Sequence, residues 1–124
     1  MNKFILNFLF LSLFLSTPLV EAAVCPDPNN SSLRWGEIPK PWEQNPFSEN
    51  SPQGDPNAHF VRANILMAGL GRGILCTYDN SHGYYSIWWQ VNVRSPLNTD
   101  YNWRKSLGGF ECTYELNDCV FYPG

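Results

Sequence analysis

The side chains able to do acid–base, nucleophilic or metal chemistry are few: His59 and His82, the cysteines at 25, 76, 112 and 119, and eleven carboxylates, ten of them after Ala22. General acid–base catalysis needs two groups within reach of one substrate, and no spacing here supplies them. Glu111 and Glu115 fall on one face of an expected strand. Four residues of strand separate them by about 13 Å, beyond the ~5 to 9.5 Å used by paired glycosidase carboxylates. Asp79 and His82 flank the run Asn80-Ser81-His82-Gly83, where such residues serve the geometry of a turn. His59 has no partner in sequence. A cysteine nucleophile would require an unpaired thiol, and an even cysteine count in an exported chain leaves none.

There is no C-x-x-C pair and neither histidine adjoins a cysteine, so no metal site is expected. Gly69-Leu70-Gly71-Arg72-Gly73 invites comparison with phosphate-cradling loops. The β-rich Ile74-Leu75-Cys76-Thr77-Tyr78 that follows denies it the helix such a loop must open, and no cofactor is expected. The residue types point away from an enzyme; a small hydrolase dependent on His82 is the least favoured of three readings.

Recognition chemistry has a sharper object. Residues 74–79 and 84–94 form a hairpin turning through Asn80-Ser81-His82-Gly83. A four-residue loop sets Tyr78 opposite Tyr85, Cys76 opposite Ile87 and Ile74 opposite Trp89, gathering the apolar side chains on one face. A five-residue loop would mix the faces. The chosen register sends Trp88 outward beside Leu75, among Thr77, Ser86, Gln90 and Asn92, while Val91 and Val93 turn inward. An outward Trp88 with Tyr84 and Leu75 is a platform for a partner pocket or a sugar ring. Trp103, beside Arg104 and Lys105, is a second candidate. The competing reading is packing: Trp35, Trp42 and Phe47 need cover, and the Leu75–Trp88 face is the apolar surface available to them.

The elements that must position these residues follow from composition. The 124 residues are 44% hydrophobic, 15% aromatic and 15% charged, which suits one small folded unit. The net charge of −3 argues against nucleic acid as partner. Residues 1–22, with Lys3 before the apolar run Phe4 to Leu15 and small residues at Val20 and Ala22, read as a cleaved signal peptide. Export follows, to the periplasm or beyond the cell, with no stable membrane insertion after cleavage. All four cysteines then lie in the mature chain and form two disulfides. Three pairings are open. Cys25 with Cys76 and Cys112 with Cys119 is preferred, tying the N-terminal arm to the core and closing a turn around Leu116-Asn117-Asp118. A three-residue hairpin loop between Glu115 and Cys119 would instead turn Cys112 toward Tyr122 and a distant partner.

Residues 23–57, with seven prolines from Pro26 to Pro56, read as an extended arm anchored on the core by Trp35, Ile38, Trp42 and Phe47. Pro39-Lys40-Pro41-Trp42 favours a polyproline-type stretch. Residues 58–124 form the disulfide-linked β domain. Asp55-Pro56 ahead of residues 58–68 resembles helix punctuation, but the alternation of Val61, Ala63, Ile65 and Met67 favours a strand. The glycines at 69, 71 and 73 make a flexible connection, Tyr101 to Leu107 is a short helix or strand, and Phe110 to Glu115 is a strand with Phe110, Cys112 and Tyr114 inward. Asn29-Asn30-Ser31-Ser32 is a polar loop. The fold expected is mainly β, a small antiparallel sandwich-like or partly closed barrel domain under a proline-rich arm.

The arrangement Cys25-Pro26, Ile74-Leu75-Cys76-Thr77-Tyr78, Cys112 and Cys119-Val120-Phe121 resembles a family of short exported bacterial proteins of unknown function. The resemblance implies export and a β-rich fold, leaves the arm from Asn29 to Pro56 unmatched, and carries no site residues. The function expected from the residues is non-catalytic binding outside the cytoplasm, of a protein partner as an inhibitor or secreted interaction factor, or alternatively of a glycan.

Overall fold

A computed structural model describes residues 21–68 and 71–124. The expected signal peptide lies outside the described residues except for Glu21 and Ala22. Among the described residues, six strands form one open antiparallel sheet: β1 (Glu43–Gln44), β2 (His59–Leu66), β3 (Gly73–Asn80), β4 (Gly83–Trp89), β5 (Arg104–Ser106) and β6 (Gly109–Cys112), in the spatial order β1-β4-β3-β2-β6-β5. The mainly β antiparallel fold with two disulfides is as expected. It takes the form of a single sheet, neither closed into a barrel nor faced by a second sheet, because the N-terminal arm and the C-terminal segment cover its inner face instead.

The β3–β4 hairpin has the expected register, with Tyr78 opposite Tyr85, Cys76 opposite Ile87 and Ile74 opposite Trp89. Pairing continues to Asn80 and Gly83, so only Ser81 and His82 turn the chain. Gly83, at φ +112°, supplies a backbone conformation that a side chain would oppose. Residues 59–66 are a strand as the alternation demanded. A bulge between Phe60 and Arg62 shifts its register, so Phe60 rather than Val61 meets the core, edge-on to Tyr78 at 6.1 Å.

On the inner face Ala63, Ile65, Ile74, Cys76, Tyr78, Tyr85, Ile87 and Cys112 are almost wholly buried. The arm reaches this face through Cys25, disulfide-bonded to Cys76, and through Leu33, which is 1% exposed on the short 3₁₀ helix Ser32–Trp35. Leu33 is an anchor that composition gave no reason to single out. Trp42 packs at 5.7 Å on Trp89 and at 6.2 Å on Phe121, forming an aromatic cluster with the C-terminal segment. Ile38 also packs against the core, whereas Trp35 and Phe47 stand 71% and 78% exposed, contrary to the expectation that both are anchors. Trp35 instead stacks with the Arg34 guanidinium, 5.0 Å from its ring. Pro39 to Trp42 is a turn closed by Trp42 N donating to the Pro39 carbonyl at 2.9 Å, not a polyproline stretch.

Polar contacts tie the arm down further. The Tyr78 hydroxyl donates to the Pro26 carbonyl at 2.6 Å, and Asn29 Nδ2 donates to the Ala58 carbonyl at 3.1 Å. Asp55 accepts from Ser81 N and Asn57 N, both at 2.9 Å, which joins the end of the arm to the β3–β4 turn. At the other end of the chain, Ala23 N and Phe121 N each donate to the other residue's carbonyl. The first residue after the expected cleavage point is therefore already part of the fold.

Strand β6 ends at Cys112 rather than Glu115, because the Cys112–Cys119 disulfide turns the chain into the 3₁₀ helix Leu116–Asp118. Tyr114 consequently lies 56% exposed and not inward. Among the described residues, no helix is long and apolar enough to cross a membrane.

Candidate functional site

Strand alternation assigns the outer face its residues row by row. Trp88, Leu75, Asn64, Glu111 and Arg104 follow one another across β4, β3, β2, β6 and β5; Ser86, Thr77 and Arg62 form the next row; Tyr84, Asp79 and His59 the third. Arm and C-terminal segment leave this face open. Among the described residues it is bordered by the loop 45–50, which follows β1 along the outer edge of β4, and at Trp88 by Gly71 and Arg72. That loop is stitched to the strand: Asn45 Nδ2 donates to Ser86 Oγ at 2.8 Å, Ser86 N to Ser48 Oγ at 3.0 Å, and Asn50 Nδ2 to the Tyr84 carbonyl at 2.9 Å.

The result is a groove of about 450 Å³ with Arg62, Asn64, Leu75, Thr77 and Ser86 on its floor. Phe47 and Tyr84, 78% and 45% exposed, stand along its sides, with Glu49 on the rim. A contiguous apolar depression, lined by Leu66, Leu75, Trp88 and Phe47, extends it. Trp88 is half-buried. Its Nε1 donates to the Arg72 carbonyl at 3.0 Å, and a Cβ on Gly71 would come within 2.8 Å of its ring. Gly73, at φ +123°, passes so close to β4 that a Cβ would overlap the Trp89 carbonyl oxygen. Glycines 71 and 73 thus serve close approach, where the sequence suggested only a flexible connection.

Of the four residues expected to recognise a partner, the structure brings Trp88, Leu75 and Tyr84 to this one face. It keeps Trp103 away. That indole is 6% exposed and donates to the Val120 carbonyl at 2.8 Å, just before the edge strand on the far side of the sheet. Trp103 takes the core-packing role. Phe47, Arg62 and Asn64 belong to the groove and were not singled out from sequence. The alternation of β2 placed Arg62 and Asn64 opposite the apolar residues, a signal for the outer face; nothing local indicated that Phe47 would stand beside it.

The titratable groups are arranged otherwise than sequence implied. Antiparallel pairing sets His59 directly across from Asp79, with Nε2 and Oδ2 3.8 Å apart at the solvent-exposed end of the strands, so His59 does have a partner. His82 lies exposed in the turn, its backbone N donating to Asn80 Oδ1 at 2.8 Å. Glu111 pairs with Arg104 at 3.6 Å, and Glu115, beyond the end of β6, shares no strand with it. Hydrogen bonds from Ser81 and Asn57 hold the Asp55 carboxyl down at about 2. On the inner face Tyr78 and Tyr85 stack with centroids 5.1 Å apart. Burial pushes the Tyr78 hydroxyl well above the usual tyrosine range and that of Tyr85 up to about 12. Among the described residues, no three His, Cys, Asp or Glu side chains gather as a metal site would require.

The family model described as protein of unknown function (DUF3757) matches residues 19–122. The chain belongs to this family. The match runs through the arm, which the resemblance noted from the cysteines had left out. Within the family domain, the arm is therefore as much part of the unit as the sheet it covers. No curated protein and no solved structure matches the chain.

Proposed function

We propose that this DUF3757 protein is an exported, non-catalytic binding protein that recognises a protein partner through the outer face of its sheet, acting as an inhibitor or secreted interaction factor. The observation that carries this reading is the contrast in cover. The inner face is sealed by the arm and the C-terminal segment, while the outer face keeps Tyr84, Phe47 and part of Trp88 exposed around a floor of hydroxyl, amide and guanidinium groups. Exposed aromatics flanking polar groups at the centre of a rigid sheet are the usual composition of a recognition surface. Export to the periplasm or beyond the cell is supported by the N-terminal run after Lys3 and by two disulfides, which persist in oxidising compartments.

A glycan ligand is the second reading, favoured by the placement of the Phe47 and Tyr84 rings beside a hydrogen-bonding floor. Photo-crosslinking distinguishes a functional face from an idle one. A photoreactive residue in place of Tyr84 is expected to capture a discrete partner from envelope, culture or host-cell extracts. The same residue in place of Tyr101, 82% exposed and outside the groove, is expected to capture none. Equal capture from both positions, or none from Tyr84, contradicts the proposal.

A further inference from the structure

The groove has an internal polarity that selects among protein partners. Arg62 sits half-buried on its floor, and among the described residues no carboxylate lies within ion-pair distance of it. The other outer-face arginine in a strand, Arg104, is by contrast paired with Glu111. A guanidinium removed in part from water and left without a counter-charge is a site for an anion, and its fork suits a carboxylate. The surroundings add hydroxyls and amides, Thr77 directly opposite Arg62 and Asn64 two residues along the strand. Glu49 is the one acidic residue lining the groove, and it lies exposed on the rim.

The apolar part of the groove begins one row further on. Leu75, opposite both Asn64 and Trp88, is two residues from Thr77 on β3, so the near edge of the apolar part lies about 7 Å along the strands from Arg62, and Leu66, four residues from Arg62 on β2, marks its far edge. An extended peptide repeats its side chains on one face with that same period. We infer that the outer groove binds an extended peptide segment of a partner protein that carries an apolar residue at one position and an aspartate or glutamate two positions away, the apolar side chain against Leu66, Leu75 and Trp88 and the carboxylate on Arg62. The inference rests on the outer face being the binding surface and adds the chemistry of what binds there. The match of period and the lone guanidinium favour a peptide over a sugar, whose rings and hydroxyls do not require a fixed charge.

Selection of random displayed peptides on the oxidised protein, with a glycan array probed in parallel, tests it. The expected result is enrichment of peptides with an acidic residue two positions from an apolar one. Binding of a selected peptide should weaken about ten-fold in Arg62→Gln, the value of one charge-assisted contact. Arg62→Glu should turn the preference at that position to lysine or arginine, and Glu49→Gln should tighten binding of the acidic peptide. Thermal unfolding of each variant separates loss of contact from loss of fold. Enrichment indifferent to the acidic position, selected peptides unaffected by Arg62→Glu, or no enrichment at all overturns the inference. Glycan binding lost in Tyr84→Ala would also overturn it while leaving the outer face as the binding surface. Ligands of either kind that ignore Tyr84→Ala would remove that surface too.

Discussion

The two faces of one sheet, built from the same strands, are finished in opposite ways. On the inner face every apolar side chain finds cover: Cys76 is bonded to the arm, Tyr78 donates to Pro26, and Trp89 packs against Trp42 and Phe121. On the outer face Leu75 and Trp88 receive no such cover, and Phe47, the arm residue that reaches them, stays largely exposed. Large apolar side chains gathered in the open on one face of a sheet mark interaction surfaces more often than singly scattered ones do. The difference separates residues that hold the fold from residues that the proposed recognition would use.

The largest expected effect lies on the inner face. Removing the Cys25–Cys76 disulfide by a double change to alanine should cost about 4 kcal/mol, against about 2.5 kcal/mol for Cys112–Cys119, because the closed loop is longer. Denaturant unfolding of the two variants checks the order; equal losses would mean that the length of the closed loop does not set the cost. Next, Ile87→Ala should lower stability by about 3 kcal/mol through a cavity in a fully buried position, again measured by denaturant unfolding.

A finer contrast lies between the stacked tyrosines. Tyr78→Phe should cost about 1 to 2 kcal/mol, since it strands the Pro26 carbonyl. Tyr85→Phe should be neutral or stabilising, because the Tyr85 hydroxyl is buried with no hydrogen-bond partner among the described residues. The folded Tyr85 hydroxyl titrates near 12, above the ordinary value of 10. The unfolded chain therefore releases its proton first, and stability falls as pH rises from 10 toward 12. Tyr85→Phe should flatten part of that fall in unfolding curves taken at alkaline pH.

The smallest effect concerns Asp55, which joins the arm to the hairpin turn. Its depressed value means that its contribution is present above the ordinary 3.8 and is lost as pH falls toward 2. Asp55→Asn should remove that dependence in acid unfolding. An unchanged acid profile would show that the Ser81 contact carries no stability.

Much of the inner face was legible in sequence because it follows from periodicity. The β3–β4 register came from asking which loop length gathers Ile74, Cys76, Tyr78, Tyr85 and Ile87 on one side, and the structure has that pairing. The preferred disulfides are those that form, although spacing alone left three pairings open. What escaped was set by contacts distant in sequence. Val61 obeyed the alternation until a bulge displaced it, and Tyr114 did so until a disulfide ended the strand. The arm has no periodicity to read, so Leu33 went unnoticed as an anchor and Trp35 was assigned a burial it does not have. The site was half legible for the same reason. Trp88, Leu75 and Tyr84 share a strand pattern, whereas Phe47 reaches them only because Asn45, Ser48 and Asn50 bind the loop to β4.

If the outer face serves recognition and adds little to the fold, the two properties should separate in one protein, Phe47→Ala/Tyr84→Ala, scored for unfolding and for partner capture side by side. Trp88→Ala is the weaker probe, since that indole also packs on Gly71 and bonds to Arg72. For two exposed side chains the expected change in stability is within about 0.5 kcal/mol each, while capture of the partner is lost. Capture retained at full strength by a folded double variant would contradict the claim, and so would a collapse of stability in step with the loss of capture.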